Sequence, residues 1–156
     1  MSSTRVKLLF GLAFAVIATV SADGSGGLRI DVMDLRNDHG AVYCELFRDA
    51  KGFPKNAKKA ADVVRAEINE HAALCEFRNL APGTYAVGAY HDENGNGQLD
   101  RGFMGIPKEG VGVSNDVQVS RGSPSFARAK FTVGAEQKQI VIHIKYLTGR
   151  PKSYGL

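Results

Sequence analysis

The run AALCEFRNLAPGTYAVGAYH, residues 72–91, holds two apolar segments separated by Ala-Pro-Gly. Pro82 lacks a backbone donor and Gly83 is free in φ, so the chain turns there. In the first segment Cys75 and Phe77 alternate with Glu76 and Arg78. That period of two belongs to a strand with one buried face. The segment TYAVGAYH (84–91) reads as a further strand, running straight into the acidic stretch that follows it.

The same signals recur outward from this pair. VVRAEI (63–68) leads through Asn69-Glu70-His71 into residue 72, which predicts a hairpin. LRIDVMDL (28–35) sets Leu28, Ile30 and Val32 against Arg29, Asp31 and Met33; AVYCELF (41–47) follows a turn at Asp38-His39-Gly40, predicting a second hairpin. SFARAKFTV (125–133) and QIVIHIKYL (139–147), joined by Gly134-Ala135-Glu136, predict a last one. Residues 48–62 read as a connection with one helical turn around Ala57–Ala61 and Phe53 returning to the core. Short strands, little helix and frequent turns predict an all-β fold, an antiparallel β-sandwich of about seven strands, immunoglobulin-like or transthyretin-like, with a small barrel as the alternative.

The chain opens MSSTRVK and continues LLFGLAFAVIATV, a basic start followed by an apolar run ending at Val20-Ser21-Ala22. This is a secretory signal pattern, too short for a comfortable membrane span. The expected organisation is a signal peptide at 1–22, a flexible start at 23–27, a β-sandwich at 28–148 and a tail at 149–156. Cleavage would remove Arg5 and Lys7 and no acid, lowering the formal net charge of +4 by those two cations. The remaining basic residues are scattered, which argues against nucleic acid as a partner. Cys44 and Cys75 are the only cysteines. An even count in an exported chain predicts a disulfide between them.

Residues 92–124 are rich in Gly and contain two Pro, a long connection that its apolar residues would keep ordered. Its start, within HDENGNGQLD (91–100), places oxygen side chains at alternate positions. Asp92, Asn94, Asn96 and Asp100 fall at positions 1, 3, 5 and 9 of a calcium loop, Gly97 at 6 and Gln98 at 7, where a backbone carbonyl serves. Phe103 stands where an EF-hand needs a bidentate Glu, so a trailing acid such as Glu109 or Asp116 would have to complete a weak Ca²⁺ site. The competing reading is a purely structural turn network, because Asn-Gly pairs make tight turns and acidic side chains cap backbone amides. His91 stands at the loop mouth. Phe103, Met104 and Ile106 are expected as apolar anchors folded against the sandwich, or as a binding surface if exposed.

The string FRNLAPGTYAVGAYHDENGNGQLDRGFMGIPKEGVGVSND (77–116), with PSFARAKF (124–131) and IVIHIKY near the end, resembles a family of exported bacterial proteins catalogued as domain of unknown function 2141. The resemblance implies an envelope or secreted β-sandwich and no established activity or cofactor. Asp92, Asn94, Asn96, Gly97 and Asp100 are also similar to the aspartate-rich stretch of B-type repeats in Gram-positive surface adhesins, which implies calcium with Glu109 as the trailing acid.

The expected function is therefore a non-enzymatic envelope module, periplasmic or extracellular, that presents the 91–116 loop to an envelope protein or glycan. The alternative is a transthyretin-like hydrolase using His91 as base with neighbouring acids. No GxSxG nucleophile motif is present.

Overall fold

A computed structural model describes residues 25–119 and 122–148. The expected signal peptide and the C-terminal tail lie outside the described residues. Among the described residues nine strands run in chain order: β1 Gly26–Met33, β2 Ala41–Phe47, β3 Asp62–Ala66, β4 Ile68–Asn69, β5 Ala72–Leu80, β6 Gly83–Asp92, β7 Gly110–Val113, β8 Phe131–Val133 and β9 Lys138–His143. They form two facing sheets. One has the order β4-β5-β1-β9; the other has β3-β2-β6-β7, with β8 on the same edge of β6 as β7. The all-β sandwich expected from the strand pattern is the fold.

Alternation does what period two requires. Leu28, Ile30 and Val32 of β1 meet Val42, Cys44 and Leu46 of β2 in one core with Phe77, Val87 and Ile142. A one-residue slip of β1 would move all three of its buried side chains into water, so its register is strongly specified. Cys44 and Cys75 form the expected disulfide, joining β2 of one sheet to β5 of the other through the middle of the core.

The expected hairpins are where the structure differs. β1 does not pair with β2: β1 lies between β5 and β9, and β2 between β3 and β6. The chain from β3 divides at Glu67, leaving only Ile68–Asn69 to pair with β5, through a turn in which Glu70 and His71 both have positive φ. β8 and β9 also lie in different sheets, and β9 runs parallel to β1, so the sandwich is not wholly antiparallel. Alternation states which side chains face inward. It does not state which strand lies alongside, because a short loop can equally arch across the core to the opposite sheet.

The segment expected as one strand over 125–133 is also divided. Phe126–Ala129 forms a turn of α-helix, α1, before β8. Ala129 is fully buried, and Phe126 stands edge-on to Phe53, which stands edge-on to Phe47 at 5.3 Å. These aromatics build a second, smaller core outside the five-stranded sheet with Ala86, Val113 and Val117. Phe53 thus returns to the protein as expected, with a 3₁₀ turn at Ala57–Lys59 behind it. The packing covers one end of the sheet's outer face and leaves the other end to the long connection after β6.

Candidate functional site

β6 ends at the acidic stretch. Counting inward positions along it, Tyr85, Val87, Ala89 and His91 face the core, and Asp92 faces out. His91 is fully buried. Its Nε2 lies 2.8 Å from the carbonyl oxygen of His39, which only accepts, so Nε2 carries the proton and Nδ1 accepts from the Tyr146 hydroxyl at 2.6 Å. The Tyr146 oxygen in turn accepts from the Arg36 backbone N–H at 3.0 Å. Burial pushes the Tyr146 hydroxyl up to about 12, keeping it a neutral donor. His91 stands inside the sandwich end, not at an open loop mouth, and offers no ring nitrogen to a substrate.

Beside it, Arg36 grips Glu93 through both oxygens of the carboxylate and lies 4.4 Å above the Tyr146 ring. Burial opposes ionisation of Glu93, but the Arg36 and Asn37 hydrogen bonds outweigh it and hold the carboxyl below its ordinary value.

The oxygens singled out as calcium ligands answer protein donors. Asp92 Oδ1 accepts from the N–H groups of Gly95 and Asn96 at 2.9 and 3.1 Å, and its Oδ2 accepts from Gly97 at 2.7 Å. Asn94 Oδ1 accepts from Asn96 N–H, and Asn96 Oδ1 from Gln98 N–H. Asp100 takes one amide hydrogen from each of Asn94 and Asn96. Glu109 Oε1 accepts from Glu93 N–H and its Oε2 from Asp100 N–H. Gly95 and Gly97, at φ of 73° and 74°, supply the left-handed steps that let three successive N–H groups converge on one carboxylate. Among the described residues, no group of three or more His, Cys, Asp or Glu side chains is placed to hold a metal ion. In this arrangement the oxygens of the set answer amide donors of the chain itself; Gln98 is exposed and Asp116 is drawn away to His143.

Past this turn the chain forms a small hairpin over 100–108, with Lys108 N–H donating to the Asp100 carbonyl and Gly102 N–H to that of Ile106. Its tip corrects the expectation of anchors folded onto the sandwich. Phe103 is 89% exposed, Met104 82% and Ile106 44%. The buried apolar residues of the connection are Val113 and Val117 instead. Val113 ends β7, which is laddered to β6, and Val117 follows soon after, whereas the tip projects beyond the sheet.

Between this hairpin and the outer face of the five-stranded sheet lies a groove of about 710 Å³, bounded by Glu45, Tyr90, Pro54, Arg101, Met104 and Ile106. Glu45 was not among the candidates from sequence. Outward-facing in AVYCELF, it has the position of a solvated strand residue, yet it is 6% exposed. It stands opposite Gly88 of β6, which presents no side chain, and Pro54 approaches Gly88 so closely that a Cβ there would lie 3.3 Å from the Pro54 Cβ. The one available signal was Gly88 itself, since a glycine inside a strand marks close approach of another group. Burial pushes the Glu45 carboxyl up to about 7, with the positive charge of Arg101 opposing the shift.

That shift makes a prediction for stability. Unfolded, Glu45 titrates near 4.5; folded, it holds its proton up to about 7. Its favourable contribution is thus fully present below pH 4.5 and lost as pH rises through about 7. Glu45→Gln abolishes this dependence. The variant is expected to match the parent near pH 4.5 and to exceed it by about 2 to 3 kcal/mol near pH 8, measured by urea unfolding across that range. Equal stabilities near pH 8 would mean that the carboxylate is well solvated.

Fold and groove define a disulfide-linked β-sandwich domain whose larger sheet carries a partly covered outer face. A family model described as "Uncharacterized protein conserved in bacteria (DUF2141)" matches residues 30–141, and the chain belongs to that family. No curated protein and no solved structure matches it.

Proposed function

We propose that this protein is an exported, non-enzymatic binding module of the bacterial envelope that holds its ligand in the groove between the five-stranded sheet and the 100–108 hairpin. The observation that carries this reading is the groove itself: its volume of about 710 Å³ suits a small ligand or a few residues of a polymer, and its apolar walls are interrupted by the polar groups of Glu45, Lys55, Gln98 and Arg101. The exposed Met104 and Ile106 at its edge supply apolar surface that a ligand would cover. The signal-like start and the disulfide support export. Among the described residues, no helix is long and apolar enough to cross a membrane. The hydrolase alternative loses support, because its base, His91, is enclosed by Tyr146 and the His39 carbonyl.

Amide chemical shifts of the oxidised domain test the reading, with N-acetylglucosamine disaccharide and short blocked peptides as probes. At least one probe is expected to shift the amides of Gly88, Tyr90 and Ile106, with about tenfold or more loss of affinity in the Met104→Ala/Ile106→Ala double variant. Shifts confined to the outer face of the four-stranded sheet would overturn it.

A further inference from the structure

We propose that the groove recognises an alkylammonium group, its nitrogen seated on the Glu45 carboxylate and its apolar stem lying along Met104 and Ile106. The inference rests on the reading of the groove as a binding site and assigns that site its ligand chemistry.

Buried polar atoms in proteins are almost always paired, and each exception calls for an explanation. Glu45 calls for one: its side chain is more than nine-tenths buried and lines the groove, and its carboxyl oxygens, which keep a little solvent contact there, receive no hydrogen bond among the described residues. Among the described residues, the recorded contacts of the neighbouring polar side chains lead elsewhere. From β6, the Tyr90 hydroxyl donates to the Gly97 carbonyl at 3.3 Å. From the hairpin, Arg101 Nη1 donates to the Gly105 carbonyl at 3.1 Å. Tyr43, next but one on β2, stacks against Tyr90, and Arg65 of β3 pairs with Glu67. Lys55, on the segment that carries Pro54, is exposed. Among the described residues, the Glu45 carboxyl is thus a groove acceptor to which no side chain donates.

Three kinds of ligand group would reach it differently. An ammonium supplies charge-assisted hydrogen bonds and compensates the buried negative charge. A hydroxyl supplies a hydrogen bond and leaves that charge uncompensated. A carboxylate meets Glu45 favourably only when the two share a proton, and otherwise would turn to Arg101 or Lys55. The first satisfies the site most fully, and apolar walls at Pro54, Leu99 and Val111 favour a methylene stem over a bare cation. The ammonium can come from a lysine side chain of a partner or from a free aliphatic amine.

The test is an NMR titration of the oxidised protein with hexylamine, hexanol and hexanoate at about pH 6 and about pH 8. Hexylammonium is expected to bind about tenfold more tightly at the higher pH, following the ionised fraction of Glu45. Glu45→Gln is expected to lose that pH dependence and about tenfold in affinity at pH 8. A lysine tripeptide blocked at both ends, binding more tightly than hexylamine, would identify a protein lysine as the source; the reverse order would identify a free amine. Equal binding of hexanol, tighter binding of hexanoate at pH 6, or an unaffected Glu45→Gln variant would overturn the ammonium assignment while leaving the groove as the binding site. If no probe moves any groove amide, while the glycan or peptide probes move amides elsewhere, the groove reading falls with it.

Discussion

Replacing Cys44 and Cys75 together by alanine is expected to lower the stability of the domain by about 3 to 4 kcal/mol, a fall in Tm of about 10 to 20 °C. The bridge closes a sequence separation of 31 residues, and opening it restores that loop's freedom to the unfolded chain. Its place adds a second cost. Both sulfurs lie in the middle of the core between the two sheets, so the alanines leave a void where packing was complete. Alanine is the informative replacement, since serine would add two buried hydroxyls without assured partners. Urea unfolding of parent and variant at one pH measures the difference; a loss below about 1 kcal/mol would mean that the sheets are held by packing alone.

Asp92→Ala is the second large effect, about 3 to 5 kcal/mol, from the three backbone N–H groups at 95, 96 and 97 that its carboxylate receives. Asp92 is almost completely buried, so water replaces the lost acceptor poorly. Asp92→Asn should recover part of the loss, because its one amide oxygen can serve Gly95 and Asn96 while its NH₂ meets the Gly97 N–H unfavourably. Thermal unfolding of parent, Asp92→Ala and Asp92→Asn gives the order. The parent measured with EDTA and with about 5 mM calcium separates the two roles of this residue: a turn network leaves Tm within about 1 °C, whereas a filled cation site raises it by several degrees.

Much of the architecture was legible because it rests on local rules. Period-two alternation in LRIDV, AVYCELF and LCEF identified the inward-facing side chains of β1, β2 and β5, and the cysteine count with the signal-like start pointed to the bridge. The Asn-Gly pairs announced a tight turn. The turn network and the calcium loop share the same residues, and only the directions of the N–H groups distinguish them.

The partners of each strand were not legible. Residues 41–47 show the same alternation whether β2 lies beside β1 or faces it across the core, and burial of both inner faces together settles the matter. The FARA segment carries alanines with high helix propensity inside a strand-like alternation, and the pocket for Phe126 beside Phe53 selects the helical turn. Exposure of Phe103 and Met104 follows from a hairpin that projects past the sheet, a distance no composition encodes.

Glu45 gathers these differences into one residue. Its own sequence neighbourhood makes it an outward-facing strand residue, and that much is a property of the chain alone. Its burial comes from Pro54, Gly88 and the 100–108 hairpin, which lie next to it only after folding. A local pattern assigns a side chain to a face; whether that face meets water depends on which distant segments fold over it.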